Sequence, residues 1–137
     1  MLETYRGNVY PWQCDILNHM NVQFYMAKFD EAAWQFFAQI GMDTKYFLNE
    51  NAGIVAMEQH IKYKKELVAG DLVIIKSELL EVRRKSVQFR HVLYKMETGE
   101  IAAEMEGIGV HLNTKTRKSC EFPPEIKAKL QLALEAK

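Results

Sequence analysis

The chain has 137 residues, with 18 basic and 18 acidic side chains and a formal net charge of zero. That length suits one domain spanning residues 1–137 with a core of its own, and the even balance supplies no overall field toward nucleic acid or an anionic membrane. The two cysteines, Cys14 and Cys120, have neither metal-ligand spacing nor the density of a secreted disulfide scaffold, so a reducing cytoplasmic setting is expected.

In chain order, "MLETYRGNVYPW" lacks a basic segment followed by an apolar run, and no stretch approaches the ~20 apolar residues of a membrane span. The expectation is a soluble, unprocessed chain with no membrane and no nucleic-acid partner. Residues 4–11 read as a first strand interrupted by Pro11. "VQFYMAKFDEAAWQFFAQIG" then reads as a helix ending at Gly41, a suitable C-cap. Val22, Tyr25, Phe29, Ala32, Ala33, Phe36, Phe37 and Ile40 recur at helical spacing, while Phe24, Met26 and Trp34 add apolar surface outside that stripe. Such a helix is expected to be buried on several sides.

"DTKYFLNE" reads as a short helix, after which the period changes to two. In "IVAMEQHIKYKKEL" Val55, Met57, Ile61 and Tyr63 share one face and Glu58, His60, Lys62 and Lys64 the other, as in a half-buried strand. Strands over 71–82, 86–96 and 100–112 follow, separated by short turns that imply antiparallel neighbours. Pro123 and Pro124 precede "EIKAKLQLALEAK", a modest amphipathic helix. The order predicts an α+β layer architecture, one very apolar helix on an antiparallel sheet.

The chemistry-bearing stretch is "CDILNHMNVQFY", residues 14–25, where an acid, an imidazole and an amide stand directly before the long helix. Taken alone, Asp15 and Asn18 read first as turn or capping residues and His19 as a hydrogen-bonded structural imidazole, while Asn21 reads equally as a turn holder or a substrate contact. Other signals are weaker. No His or Cys pair has metal-ligand spacing, so no metal is expected. The G-x-S-x-G nucleophile elbow is absent. His91 reads as a satisfied core or interface histidine, His60 as part of a polar strand face, and His111 as lying near a strand end. Gly107 and Gly109 in "EGIGV" read as a strand bend or a close backbone approach rather than a phosphate loop.

The element order and the motif together resemble the hotdog fold, and specifically the 4-hydroxybenzoyl-CoA thioesterase family, whose members carry a signature like D-x-x-G-H-V-N-N-x-x-Y. Here "DILNHMNVQFY" matches it at Asp15, His19, Asn21 and Tyr25, and departs from it at Asn18 and Val22. The resemblance implies a long central helix wrapped by a curved antiparallel sheet of about five strands, with a C-terminal helix. It also implies acyl-CoA thioesterase activity without a cofactor, CoA being part of the substrate. Asp15 would be nucleophile or general base, His19 and Asn21 positioning groups, and a backbone N–H near Val22 the donor that polarises the thioester carbonyl. Tyr25 would touch substrate or fill the core.

CoA phosphates need local cations, and three clusters qualify: Arg83-Arg84-Lys85, Lys62-Lys64-Lys65, and Lys115-Arg117-Lys118. The first is preferred, with Ser86 beside it, because it is compact and arginine grips phosphate bidentately. The family resemblance also implies a homodimer or homotetramer with the active site at a two-protomer seam. A hotdog acyl dehydratase and a non-catalytic acyl-CoA binding module are the rival readings.

Overall fold

The computed structural model describes residues 1–136. Strand β1 (Leu2–Asn8) leads through a 3-10 turn (Pro11–Gln13) into α1 (Val22–Gln39), followed by α2 (Thr44–Asn49). Four strands come next, β2 (Ala52–Tyr63), β3 (Leu72–Val82), β4 (Ser86–Lys95) and β5 (Ile101–Asn113), then a two-residue β6 (Lys118–Ser119) and α3 (Pro124–Glu135). The antiparallel sheet has the order β1-β3-β4-β5-β2, with β6 pairing on β5. This is the hotdog arrangement, a curled sheet around one long helix.

The central strands follow their alternation. Val73, Ile75 and Leu79, then Val87, Phe89 and Leu93, then Ala103 and Met105 all point inward and are buried. Against them α1 lays Tyr25, Phe29, Ala32 and Phe36, which recur every three or four residues; Phe29 and Phe36 are completely enclosed. Each such ring contributes roughly 2–3 kcal/mol through the apolar area it removes from water. Asn21 caps the start of α1 and Gly41, at φ +114°, follows its end, the left-handed position that favours glycine.

Several expectations need correction. The sheet covers only one side of α1, so Val22 and Trp34, each 56% exposed, face outward, while Lys28 is buried at the β1 side. Its Nζ donates to Tyr5 Oη at 3.2 Å and the Asn8 carbonyl at 3.3 Å, and burial lowers its pKa. The first strand ends at Asn8, before Pro11, and β2 ends at Tyr63. Nor are β2 and β3 neighbours: β2 lies at the sheet edge beside β5, and residues 64–71 cross to β3 on the far side.

A β-bulge between Ala56 and Glu58 also changes which residues of β2 share a face. Before it Ile54 and Ala56 point inward; after it Gln59, Ile61 and Tyr63 do. Val55 and Met57 therefore do not share the inner face of Ile61, and both are exposed. The outer face is polar, tied across strands by Arg90, which pairs with Glu78 of β3 at 3.4 Å and with Glu104 of β5 at 2.5 Å. Lys64 joins Glu104 at 3.2 Å.

Candidate functional site

The loop between the 3-10 turn and α1 is braced from both ends. Met20 plugs the core with no exposure, its N–H donating to the Leu67 carbonyl at 2.7 Å, and the Asn21 N–H donates to the Gln13 carbonyl at 2.9 Å. Between them the Asp15 N–H reaches the His19 carbonyl at 3.1 Å, and the Asn18 N–H returns to the Asp15 carbonyl at 2.9 Å. Closing so tight a turn puts Asn18 at φ +62°. That is the left-handed region, where the family signature has glycine and where asparagine is the best tolerated substitute.

This bracing fixes the Asp15 carboxylate. Oδ1 accepts the Leu17 N–H at 2.9 Å and Oδ2 accepts from Asn21 Nδ2 at 3.0 Å. The Asn21 bond is the main reason the Asp15 carboxyl titrates below its ordinary value; the Leu17 N–H adds to it, and the nearby His19 imidazole contributes less. Each oxygen keeps a further lone pair free for a reacting group. Asn21 also accepts the Gln23 N–H on Oδ1 at 3.1 Å, so one amide caps the helix and holds the acid.

The Phe24 N–H is taken by the Asn21 carbonyl at 3.0 Å. The Val22 N–H, first in the helix, has no intrahelical acceptor and sits at the positive end of the macrodipole. His19 is half-buried, with Nδ1 3.3 Å from the Met20 carbonyl. Tyr25 is 3% exposed; its hydroxyl donates to the Lys65 carbonyl at 3.5 Å and its ring meets Tyr63 edge-on at 5.0 Å. Burial pushes its phenol up to about 12. Asp15, His19, Asn21, Val22 and Tyr25 are thus one cluster at the α1 start.

Arg83, Arg84, Lys85 and Ser86 are elsewhere. They form the turn into β4, whereas Asp15 lies at the other end of the sheet, beside Leu67 and the start of β3. The ten residues of β4 separate the two ends by about 30 Å at ~3.3 Å each. Arg83 pairs with Glu81 at 2.9 Å and Arg84 with Glu121 at 2.6 Å, both at the surface, where such pairs are weak and exchangeable.

Three features carry more than their sequence positions suggested. A cavity of about 90 Å3 lies between α1 and β2, β4 and β5, with Asp30 and Gln59 among its lining residues. Asp30, eight residues after Val22 and four after Met26 on one helix stripe, was its one legible signal. Second, His111, 3% exposed, has Nε2 2.8 Å from Tyr46 Oη and Nδ1 3.0 Å from the Cys120 carbonyl. Third, His91 is fully buried with Nδ1 2.5 Å from Ser77 Oγ, but its Nε2 has no partner, so the expectation of a satisfied histidine holds for one nitrogen only. Burial pushes its imidazole down to about 4.

Comparison with known proteins matches residues 9–130 to the model of the thioesterase-like superfamily. A betainyl-CoA thioesterase from Pseudomonas aeruginosa is 27% identical over 99% of this chain and 86% of its own. A long-chain acyl-CoA thioesterase from Escherichia coli is 24% identical over 88% of this chain and 90% of its own. Among solved structures, a Staphylococcus aureus protein in complex with CoA superposes with a TM-score of 0.90 at 22% identity, covering 100% of this chain and 88% of that one. Among the described residues no helix is long and apolar enough to cross a membrane.

Proposed function

The chain belongs to the thioesterase-like superfamily, and from that premise we propose that it hydrolyses an acyl-CoA to the free acid and CoA, with Asp15 acting on the thioester carbonyl. One observation carries this reading: a carboxylate held by two donors stands beside the open N-terminal turn of a long helix. The substrate carbonyl oxygen accepts the Val22 N–H, where the helix dipole stabilises the negative charge that develops during attack. An Asp15 oxygen attacks the carbonyl carbon, the C–S bond breaks, and CoA leaves as a thiolate; water then cleaves the mixed anhydride to regenerate the carboxylate. The alternative is that Asp15 draws the proton from an attacking water. A carboxyl held below its ordinary value is ionised at neutral pH and a weak base, which favours direct attack. His19 positions water or the carboxylate, and the good leaving group needs little acid assistance.

The separation of Asp15 from the Arg83-Arg84-Lys85 turn supports a site shared by two protomers. β2 is a twelve-residue edge strand with Val55 and Met57 exposed, the kind of edge that a second chain completes. Antiparallel pairing of two β2 edges about a two-fold axis reverses one protomer relative to the other. The partner's basic turn then lies at this protomer's Asp15 end, where it meets the CoA phosphates. Relatives act on acyl groups as different as betainyl and long-chain acyl, so family membership leaves the acyl group open.

Thiol release from a panel of acyl-CoAs tests the activity. Turnover supports the hydrolase, whereas CoA binding with no release of thiol from any ester leaves the non-catalytic binding module. Neutralising Arg83 and Arg84 together should raise KM for CoA esters while thioesters lacking the nucleotide respond little; equal effects on both would remove the turn from the site.

A further inference from the structure

Six of the 18 cations stand in two short turns that contain no acid, Arg83-Arg84-Lys85 and Lys115-Thr116-Arg117-Lys118. The strand register brings these turns together at one end of the sheet. Lys118 pairs with Asn113 of β5, and the Lys85 carbonyl accepts the N–H of His111, two residues back along the same strand. Lys85 and Lys118 therefore follow one another along one flank of β5, about 7 Å apart. The Phe122 N–H donates to the Arg84 carbonyl at 3.1 Å and fastens the chain beyond the hairpin to the basic turn.

The β5–β6 hairpin holds its cations in place. Asn113 Oδ1 accepts the N–H groups of Lys115 at 2.8 Å and Thr116 at 3.0 Å, and the Asn113 carbonyl accepts the Arg117 N–H at 2.8 Å. Arg117 takes φ +63°, the left-handed position that glycine fills at no steric cost. A strained residue retained where glycine would serve points to a task for its side chain. The two turns also differ in free charge. Arg83 and Arg84 are held by Glu81 and Glu121, whereas Lys115, Arg117 and Lys118 have no ion-pair partner among the described residues.

Resting on the reading of the Arg83-Arg84-Lys85 turn as the CoA phosphate site, we propose that the β5–β6 hairpin, through Lys115, Arg117 and Lys118, binds the ribose 3′-phosphate of CoA. A phosphate monoester carries about −1.5 to −2 charge at pH 7, more than either phosphate of the diphosphate. That denser charge goes to the cations for which no carboxylate competes, and arginine grips its oxygens bidentately. One ribose separates the 3′-phosphate from the diphosphate, a span that matches the step from Lys85 to Lys118. The consequence is a choice of carrier. Full CoA esters gain this contact, and acyl groups on the phosphopantetheine of a carrier protein, which has no 3′-phosphate, do not.

Calorimetric titration with CoA and with dephospho-CoA, which lacks only the 3′-phosphate, tests this without hydrolysis. The wild type should bind CoA roughly tenfold to a hundredfold more tightly, the effect of a charge-assisted hydrogen bond. Arg117→Gly together with Lys118→Gln should bring that ratio to within about threefold by weakening CoA alone. Arg117→Gly by itself should narrow the ratio while melting no lower than the wild type, because it relieves the left-handed backbone. Arg83→Gln with Arg84→Gln should weaken both ligands and keep the ratio. Equal binding of the two ligands by the wild type, no binding of either, a ratio that survives both hairpin substitutions, or a ratio lost only in the Arg83 and Arg84 variant would overturn the inference. A CoA preference with no thiol released from any acyl-CoA leaves this inference standing and sinks the hydrolase reading; hydrolysis of an acyl-CoA with equal binding of CoA and dephospho-CoA does the reverse.

Discussion

Asn21 performs two tasks with one amide, and two substitutions separate them. Its Oδ1 caps the helix through the Gln23 N–H, and its Nδ2 donates to Asp15 at 3.0 Å. Asn21→Ala removes both: the lost cap costs about 1 kcal/mol, which in a domain of this size lowers Tm by roughly 3–5 °C. Asn21→Asp keeps a capping oxygen and places negative charge where the helix dipole favours it, so Tm should stay within about 2 °C of wild type. It also replaces the donor on Asp15 with a second carboxylate. The Asp15 carboxyl, held low by that donor above all, then titrates higher, as one of a like-charged pair.

In the wild type Asp15 is ionised at every pH above its ordinary range, so it does not set an acid limb near neutrality. In Asn21→Asp the acid limb of kcat/KM moves to higher pH. At pH 7 both variants should lose about tenfold to a hundredfold in kcat/KM because the carboxylate is no longer anchored. Thermal melts and pH–rate profiles of the three proteins decide the matter. Wild-type kcat/KM and an unmoved acid limb in Asn21→Asp would refute the claim that this hydrogen bond positions and ionises the acid.

Three further outcomes concern the scaffold. The buried His91 imidazole sits at about 4 against an ordinary 6.5, so the unfolded chain binds its proton first: stability is full above 6.5 and falls toward pH 4 by about 3 kcal/mol. Urea unfolding at pH 7 and 4.5 should show a smaller acid loss for His91→Met than for wild type. Gly107→Ala would set a Cβ 2.8 Å from Phe89 Cζ, an overpacking cost of about 1–3 kcal/mol in urea unfolding that Phe89→Leu should partly restore. Asn18→Ala, at φ +62°, should cost about 1 kcal/mol by the same measurement, and Asn18→Gly should cost less.

Much of this fold was legible because its patterns are local. Alternation in β3, β4 and β5 survives into the structure almost residue for residue, and the apolar stripe of α1 is the face that the sheet covers. The polar turn before α1 was also legible, since Asp15, Asn18 and Asn21 are the residues that close a tight turn and cap a helix. Other features depend on pairing that a sequence does not display. The bulge at Ala56 carries no glycine or proline to announce it, so the inner face of β2 was misassigned on one side. Exposure of β2 and of Trp34 follows from strand order, not from composition. The distance between Asp15 and Arg84 emerges only once β4 lies between them. Asp30 was hidden for the opposite reason: beside Glu31 on an amphipathic helix it reads as solvated surface until the aromatic cavity next to it is formed.

The most direct test of the central claim is steady-state thiol release by Asp15→Asn on whichever acyl-CoA the wild type hydrolyses fastest. The substitution keeps the side chain's shape and removes its charge. If Asp15 acts on the carbonyl, kcat falls by at least about a hundredfold while KM changes little and the melting curve shows an intact fold. Wild-type turnover in Asp15→Asn would contradict the account and move the chemistry away from this turn.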